Sequence, residues 1–278
     1  MVVTNKEQKP VLKVEDVSKS FPIQKGILRR EVARLHAVRN ISFDVYPEET
    51  IGIVGESGCG KSTLAKTIVK LYNPTQGRIE LLGNDIANTK GKKLRSLRKH
   101  IQMIFQDPLD SLNPRMTIFD ILSEPYKIHG IKLSYDELKS NISNILKTVG
   151  VPVAALSRYS HEFSGGQCQR IGIARALTLN PKLLICDEPV SALDVSVQSQ
   201  VINLFLKLQK EMGLSYVFIS HDLTVVRHIS DKVLVMYLGE MVEYTDAISL
   251  YTTPLHPYTK ALLATIPSIE KRGNTEHI

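Results

Sequence analysis

The pattern of apolar and polar residues predicts strands separated by helices along most of the chain. Short apolar runs, rich in β-branched residues, predict buried strands at residues 51–54, 101–105, 183–186, 215–220 and 232–237. Apolar spacings of three and four predict helices at residues 61–71, 166–179, 196–212 and 222–228. Strands that alternate with helices favour a mostly parallel sheet with crossover helices, so the predicted fold class is α/β.

The N-terminal part of the chain shows a different pattern. Residues 11–18 and 38–45 alternate between apolar and polar positions, which predicts two strands with one face exposed. Between them, Phe21 and Pro22 begin a stretch rich in basic residues that we predict to be a loop.

One internal segment departs from the alternation of strands and helices. In residues 108–162 helical spacings dominate, which predicts a helical subdomain inserted into a core of residues 1–107 and 163–245. Residues 246–278 are predicted to form a C-terminal extension, with one helix at residues 247–251.

The first recognisable chemistry is the segment Gly55-x-x-x-x-Gly60-Lys61-Ser62, between a predicted strand and a predicted helix. Glycines let backbone N–H groups turn towards phosphate oxygens, and the positive N-terminal end of the helix adds to the same pocket. Lys61 can reach the β- and γ-phosphates, and the Ser62 hydroxyl can ligate Mg²⁺. The segment predicts a nucleoside-triphosphate site; a flexible glycine turn would explain neither the strand before it nor the helix after it.

A pair of carboxylates, Asp187 and Glu188, follows an entirely apolar predicted strand. In parallel sheets with crossover helices, the C-terminal ends of the strands open into the ligand crevice. The pair is therefore expected beside the segment from Gly55 to Thr63, called the phosphate loop below. Asp187 can hold Mg²⁺, and Glu188 can polarise the water that attacks the γ-phosphate. The alternative is a surface acidic turn, which Pro189 would also suit.

Two polar residues each end a predicted strand. The Gln106 amide can reach the metal and the attacking water, and a ring nitrogen of His221 can contact the γ-phosphate. Taken alone, each has a plainer interpretation, as an ordinary loop glutamine and a structural histidine.

A second glycine-rich turn, Phe163-Ser164-Gly165-Gly166-Gln167, opens another helix. It repeats the physics of the phosphate loop, with exposed N–H groups, a hydroxyl and a positive helix end. An N-cap by Ser164 is the simpler interpretation. Because one nucleotide does not need two such loops, the second would make sense if it served a nucleotide bound to another subunit.

Composition limits the functions that remain. The 278 residues are 43% hydrophobic and 23% charged, with no run near the roughly 18 apolar residues that span a bilayer. The net charge of +7 arises partly from basic residues between positions 25 and 34 and between 90 and 100. A solvated surface explains both runs, with anionic lipid as the alternative; no groove-binding motif predicts nucleic-acid binding.

The three cysteines, Cys59, Cys168 and Cys186, lie far apart without paired spacing. This pattern predicts a reducing compartment, with neither a disulfide framework nor a zinc site.

Together these motifs resemble the ATP-binding-cassette (ABC) ATPases. GESGCGKST, Gln106, FSGGQ, LLICDE, SALD and His221 fall in the order found in that family, and the resemblance covers about residues 11–265. It implies a RecA-like P-loop core with an antiparallel β subdomain and an inserted helical subdomain. It also implies that two subunits pair head to tail with two ATP molecules between them.

The resemblance implies a role for each matching residue. Phe21 would stack on the adenine, and Asp194 would lie in the D-loop at the dimer interface. Glu188 would be the catalytic base, with Gln106 (the Q-loop glutamine) and His221 (the switch histidine) as the other catalytic residues. Ser62, Gln106 and Asp187 would hold Mg²⁺. The nucleotide-binding positions would be Phe21, Gly55, Glu56, Ser57, Gly58, Cys59, Gly60, Lys61, Ser62 and Thr63 and, for the partner's nucleotide, Ser164, Gly165, Gly166 and Gln167.

Further stretches, including FPIQKGILRR and PLHPYTKALL, resemble the oligopeptide/dipeptide importer branch and, within it, the second of two ATPase subunits. Nickel and metallophore importers are close relatives, so these cargoes remain alternatives. Many members carry a C-terminal tail with cysteines that can hold an iron–sulfur cluster. No cysteine follows Cys186 here, so no cluster is expected.

The implied partners are a second ATPase subunit, two transmembrane permease subunits and an extracytoplasmic solute-binding protein. The implied location is the cytoplasmic face of the plasma (inner) membrane. Two other functions stay open: a non-transport ABC ATPase working on nucleic acid or ribosomes, and a regulatory module that binds ATP without hydrolysing it.

Overall fold

The computed structural model describes residues 9–25 and 30–265, which form two β-sheets flanked by helices. The larger sheet has six strands in the spatial order β10-β9-β3-β8-β7-β6. Its strands are β3 (Thr50–Val54), β6 (Ile101–Ile104), β7 (Leu183–Asp187), β8 (Ser215–Ile219), β9 (Lys232–Tyr237) and β10 (Glu240–Asp246). All neighbours pair in parallel except β9 and β10.

The central strands are apolar because both faces of this sheet are buried, one against helices and the other against a helix and the smaller sheet. Every residue of β3, β7 and β8 is buried. The helices around the sheet are α1 (Lys61–Ile68), α2 (Gly91–Arg98), α5 (Gly165–Leu177), α6 (Val195–Met212) and α7 (Leu223–Ile229). The sequence-based α/β prediction is therefore confirmed.

The smaller sheet is antiparallel, in the order β2-β1-β4-β5. Its strands are β1 (Leu12–Lys25), β2 (Arg30–Val45), β4 (Gln76–Leu81) and β5 (Asn84–Asp85). The basic loop predicted from Phe21 is wrong, because β1 and β2 stay paired as far as Lys25 and Arg30. Most side chains in this outer part of the hairpin are exposed, so the apolar alternation that marks a half-buried strand is missing there.

Residues 108–162 hold α3 (Ile118–Ile128) and α4 (Tyr135–Thr148), followed by two short 3₁₀ turns. Side chains cap both helices: the Thr117 hydroxyl accepts the N–H of Asp120, and Ser134 and Glu137 form a reciprocal capping box. Apolar residues of both helices pack with those of α5 and α6 in one core cluster. The domain limits proposed from the sequence remain a prediction.

The C-terminal part of the described chain returns to the core sheet. After β10 come α8 (Ala247–Thr252) and α9 (Pro257–Ala264), which pack with α7 and β9 in a small apolar cluster. The helix α9 was not predicted, although a proline at its first position and a His256 N-cap mark its start. The predicted extension continues beyond residue 265, outside the described residues.

Among residues 9–25 and 30–265, no helix combines the length and the apolar character needed to cross a membrane.

Candidate functional site

The phosphate loop connects β3 to α1 and is shaped by its glycines. A Cβ atom at Gly55 would lie 2.2 Å from the Met236 carbonyl oxygen, and one at Gly60 would lie 2.1 Å from the Ala37 carbonyl oxygen. Both residues also have positive φ angles, of 151° and 110°. Glycine is therefore required at both positions, because the loop lies directly against backbone from β2 and β9.

The Lys61 ammonium group is held inside this loop. The residue is only 4% exposed, and its Nζ donates to the carbonyl oxygens of Gly55 at 2.7 Å and Glu56 at 2.8 Å. Neutral carbonyls orient the ammonium without neutralising it, so its charge remains available to an anion. The first turn of α1 contains no acidic residue, so no side chain of the helix itself compensates its positive end.

The remaining loop residues divide by exposure. Glu56, Ser57 and Gly58 face solvent, Cys59 is buried, and Thr63 is half-buried in the first turn of α1. All three cysteines of the chain are free and buried.

Asp187 ends β7 beside α1. Its Oδ1 accepts a hydrogen bond of 2.8 Å from the Ser62 hydroxyl, across 125 positions of sequence. Burial raises the pKa of the Asp187 carboxyl, and the Ser62 hydrogen bond opposes that rise. A hydroxyl and a carboxylate in contact offer two hard oxygen ligands, the kind that Mg²⁺ prefers.

The Glu188 side chain contacts two other predicted site residues, His221 and Gln106. Its Oε2 lies 3.0 Å from His221 Nδ1 and 3.3 Å from Gln106 Nε2. The three residues follow β7, β8 and β6, which are neighbours in the sheet, so their side chains converge at one edge. Glu188 has a φ of 48°, in the left-handed region, and such backbone strain in a non-glycine residue is typical of functional sites.

The second glycine-rich turn caps α5. The Ser164 hydroxyl accepts the N–H of Gln167 at 3.4 Å, and the Gln167 Oε1 accepts the N–H of Ser164 at 3.0 Å. Both side chains are exposed, and Gly166 is packed so closely that a Cβ would lie 2.5 Å from Val197 Cγ1. Both hydrogen bonds lie within the turn. Among the described residues, the side chains of Ser164 and Gln167 make no hydrogen bond to the phosphate loop.

Phe21 lies on the smaller sheet, half-buried in β1. Its ring meets Tyr72 edge to face at a centroid distance of 5.4 Å, and Lys19 Nζ lies 4.8 Å from its centroid. The aromatic side chain is thus held in a defined orientation, as adenine stacking would require.

Sequence reasoning missed one contact of the phosphate loop. The Glu56 N–H donates to the Tyr258 hydroxyl at 3.0 Å, from a helix that follows 202 residues later. The HPYT segment carries this tyrosine, but no spacing rule relates it to the loop.

The residues present fit a nucleoside triphosphate and a divalent metal. Side chains at Gly55 and Gly60 would collide with neighbouring backbone, and the Lys61 ammonium group is buried in the loop. Ser62 and Asp187 bring two oxygen ligands together. The described residues contain no cluster of three or more His, Cys, Asp or Glu that could hold a metal. A Mg²⁺ site shared with phosphate oxygens requires only one or two protein ligands.

The sheet order and this site together define a P-loop nucleoside-triphosphatase. A family model described as "ABC transporter" matches residues 38–191, and one described as "Oligopeptide/dipeptide transporter, C-terminal region" matches residues 242–278. The chain belongs to the ABC transporter family and is an ABC-type ATPase.

Similar proteins agree with this assignment. The chain is 54% identical to the oligopeptide transport ATP-binding protein AppF of Bacillus subtilis, covering 99% of this chain and 83% of that protein. It is 52% identical to OppF of Escherichia coli, covering 94% and 78%. Among solved structures, the ATP-binding cassette MJ0796, a dimer bound to ADP and phosphate, has a TM-score of 0.76 at 26% identity, covering 85% of this chain and 98% of that one.

Proposed function

We propose that this chain is the ATP-hydrolysing subunit of a membrane importer for oligopeptides. The observation that carries the proposal is the match of residues 242–278 to the C-terminal region of oligopeptide/dipeptide transporters, since the ATPase core is shared with many other systems. The identity of 52–54% to proteins named for oligopeptide transport supports the same cargo.

In the proposed site, the loop of residues 55–63 surrounds the phosphates with backbone N–H groups. Lys61 contacts the β- and γ-phosphates, because its buried ammonium already points into the loop. Ser62 and Asp187 would hold Mg²⁺, with Gln106 nearby, and Phe21 would stack on the adenine. When bound, Mg²⁺ neutralises phosphate charge and orients the γ-phosphate.

Glu188 is proposed to orient the attacking water and accept its proton. The carboxylate is half-buried and 3.0 Å from the His221 ring, which can hold it in place and contact the γ-phosphate itself. Gln106 lies on the same carboxylate oxygen and would sense the γ-phosphate and the metal. Because Glu188 touches both residues, a change at any of the three should affect turnover more than nucleotide binding.

The proposed assembly supplies what this chain lacks on its own. The glycine-rich turn of residues 163–167 is called the signature turn below. A second ATPase subunit, in a heterodimer, would place its own signature turn over this chain's nucleotide, and Ser164–Gln167 would do the same for the partner. Two permease subunits and an extracytoplasmic solute-binding protein complete the importer, at the cytoplasmic face of the plasma (inner) membrane. The self-capped turn of α5 supports this arrangement, because its capping hydrogen bonds are made within the turn and leave it on the surface.

The test is reconstitution of the chain with its permease and second ATPase subunits in lipid vesicles. We expect ATP hydrolysis to rise when the solute-binding protein is loaded with oligopeptides. Stimulation by nickel or a metallophore complex, and not by peptides, would mean that the importer carries that cargo instead of peptides, with the ATPase function unchanged. A chain that hydrolyses ATP only with nucleic acid or ribosomes, and never with the permease, would refute the importer.

A further inference from the structure

The start of α9 is anchored to the core sheet by one carboxylate. Glu243 in β10 accepts the N–H groups of Leu255 at 2.9 Å and His256 at 3.0 Å, one on each oxygen. Although burial opposes it, the pKa of the Glu243 carboxyl is lowered, because these hydrogen bonds favour its ionised form. The anchor therefore persists at neutral pH and fixes where α9 begins.

Tyr258 sits in the first turn of α9, and both its backbone and its ring are held. Its N–H donates to His256 Nδ1 at 3.1 Å, and its ring centroid lies 4.4 Å from that of Tyr237. Tyr237 ends β9, two residues before Gly239, whose N–H donates to the Cys59 carbonyl at 2.9 Å. The ring is thus positioned beside the phosphate loop.

The Tyr258 hydroxyl contacts one particular peptide group. The carbonyl oxygen of the Gly55–Glu56 peptide accepts from Lys61 Nζ at 2.7 Å, and the N–H of the same peptide donates to Tyr258 Oη at 3.0 Å. A peptide group is planar, so rotating its N–H also rotates its carbonyl. The two hydrogen bonds therefore fix the same plane from opposite sides, and Gly55 by itself would allow many orientations.

We propose that Tyr258 is a positioning residue of the nucleotide site, which acts through the Gly55–Glu56 peptide on the Lys61 ammonium. The C-terminal segment is then part of the ATP site, and its docking on the core sets how well the loop is prepared for phosphate. Burial raises the pKa of the Tyr258 hydroxyl, so it stays a neutral phenol throughout the neutral range. The Tyr258 contact bears on ATP binding alone, whatever cargo the importer carries.

The critical variant is Tyr258→Phe, which removes the hydroxyl and keeps the ring against Tyr237. The matched control is Tyr251→Phe, because the Tyr251 hydroxyl donates to the Leu223 carbonyl at 2.5 Å within the same C-terminal cluster. Both variants lose one hydrogen-bonded hydroxyl group, but only the Tyr258 hydroxyl contacts the phosphate loop. Glu243→Gln is a second variant that loosens the anchor and leaves Tyr258 intact.

Affinity for the β,γ-imido analogue of ATP should fall roughly fivefold in Tyr258→Phe and stay within about twofold in Tyr251→Phe, as expected for one hydrogen bond. In the assembled ATPase, KM for ATP should rise by a similar factor with kcat nearly unchanged, since the lost contact orients the binding loop and not the attacking water. Glu243→Gln should weaken nucleotide affinity in the same direction by a smaller factor.

Amide hydrogen exchange gives a readout that a purely packing role would not move. Exchange at the Glu56 N–H should speed up roughly fivefold in Tyr258→Phe and not in Tyr251→Phe. Unchanged nucleotide affinity in Tyr258→Phe, or an equal loss in Tyr251→Phe, would overturn the proposal. If Tyr258→Phe does not fold, Glu243→Gln decides: unchanged affinity and unchanged Glu56 exchange in that variant refute it.

Discussion

The phosphate loop and the signature turn of α5 are both glycine-rich turns that open a helix, but they are stabilised differently. In the loop, Lys61 is buried and Ser62 reaches Asp187 across the fold. In the turn, the side chains of Ser164 and Gln167 are exposed, and among the described residues each hydrogen-bonds only the backbone N–H of the other. One region is organised by distant parts of this chain, and the other keeps its shape locally.

The difference agrees with the proposal that the loop binds this chain's own nucleotide and the turn binds the partner's. A loop that is hydrogen-bonded to β7 and α9 and lies against the backbone of β2 and β9 is prepared for a ligand bound to the same chain. A self-contained cap on the surface can present N–H groups and a hydroxyl to an anion carried by another molecule. Four substitutions test whether the loop serves this chain's nucleotide and the turn serves the partner's, in order of the expected size of the effect.

The largest effect, on the rate of ATP hydrolysis, is expected for Glu188→Gln, next to the phosphate loop. Turnover should fall by about 10²–10⁴-fold, because the amide cannot accept a proton, and ATP-bound dimers should accumulate. Nucleotide affinity should be preserved. Single-turnover phosphate release and equilibrium binding measure the two effects.

The matched control is Glu211→Gln, which makes the same chemical change in an exposed ion pair with Lys207. That pair is 3.8 Å apart on the surface of α6, so hydrolysis should be unaffected. A Glu188→Gln enzyme that hydrolyses ATP at the wild-type rate would mean that the base has been assigned to the wrong residue.

Ser164→Arg tests the locally stabilised turn. The long side chain should block the approach of the partner's phosphate, so hydrolysis at the partner's site should fall roughly 100-fold while nucleotide binding at this chain's own loop is retained. Mixed dimers, in which only one subunit carries the change, separate the two sites. A loss confined to the mutated chain's own loop would contradict the head-to-tail arrangement.

Ser134→Arg is the control for loss of a helix cap. Ser134 and Glu137 form the same capping box on α4 that Ser164 and Gln167 form on α5. Both variants should therefore lose about 1 kcal/mol of folding stability. Only Ser164→Arg should alter hydrolysis.

Phe21→Ala should have a smaller effect, on binding alone. Loss of stacking on the adenine should weaken ATP affinity about tenfold and leave the affinity for inorganic triphosphate unchanged. Phe119→Ala is a suitable control, because Phe119 belongs to another aromatic pair, with Tyr135 at 5.5 Å in the helical segment. Equal losses for ATP and for triphosphate would remove Phe21 from the adenine site.

The smallest effect is a change in stability at Asp187. Because burial raises the pKa of this carboxyl, ionisation costs folding free energy as the pH rises above about 3.8 through the raised value, and the full cost is present at neutral pH. Asp187→Asn should therefore raise the melting temperature by about 2 °C without nucleotide or Mg²⁺. It should also reduce the further rise that Mg²⁺ and ATP cause in the wild type.

Asp136→Asn provides the comparison for this stability measurement. Asp136 is exposed in the first turn of α4, where its charge favours the helix, so its replacement should not raise the melting temperature. A fall in the melting temperature of Asp187→Asn without ligand would show that the buried carboxylate stabilises the empty site.

Much of the site was predictable from the sequence because its residues follow buried apolar runs. Parallel strands bring their C-terminal ends to one edge, so the positions of Gln106, Asp187 and His221 at the ends of predicted strands predict that they lie together there. The shared contact on Glu188 and its positive φ angle were not predictable, because neither leaves a signature in residue type.

The two main misses have a common physical origin. The outer half of the β1–β2 hairpin is held mainly by backbone pairing, and most of its side chains are exposed and leave no apolar pattern. The Tyr258 contact with Glu56 joins residues 202 positions apart through one hydroxyl. Sequence patterns report burial and periodicity, and both of these features depend on something else.

The buried cysteines have a practical consequence for measuring motion. Cys59, Cys168 and Cys186 are the chain's only thiols, all are buried, and burial raises the pKa of each. Thiol-directed dyes need an accessible thiolate, so the native fold should give almost no background labelling. A single cysteine introduced on the surface, such as Ser134→Cys, would then carry a fluorophore at one known point and allow the proposed closure of two subunits to be tested optically.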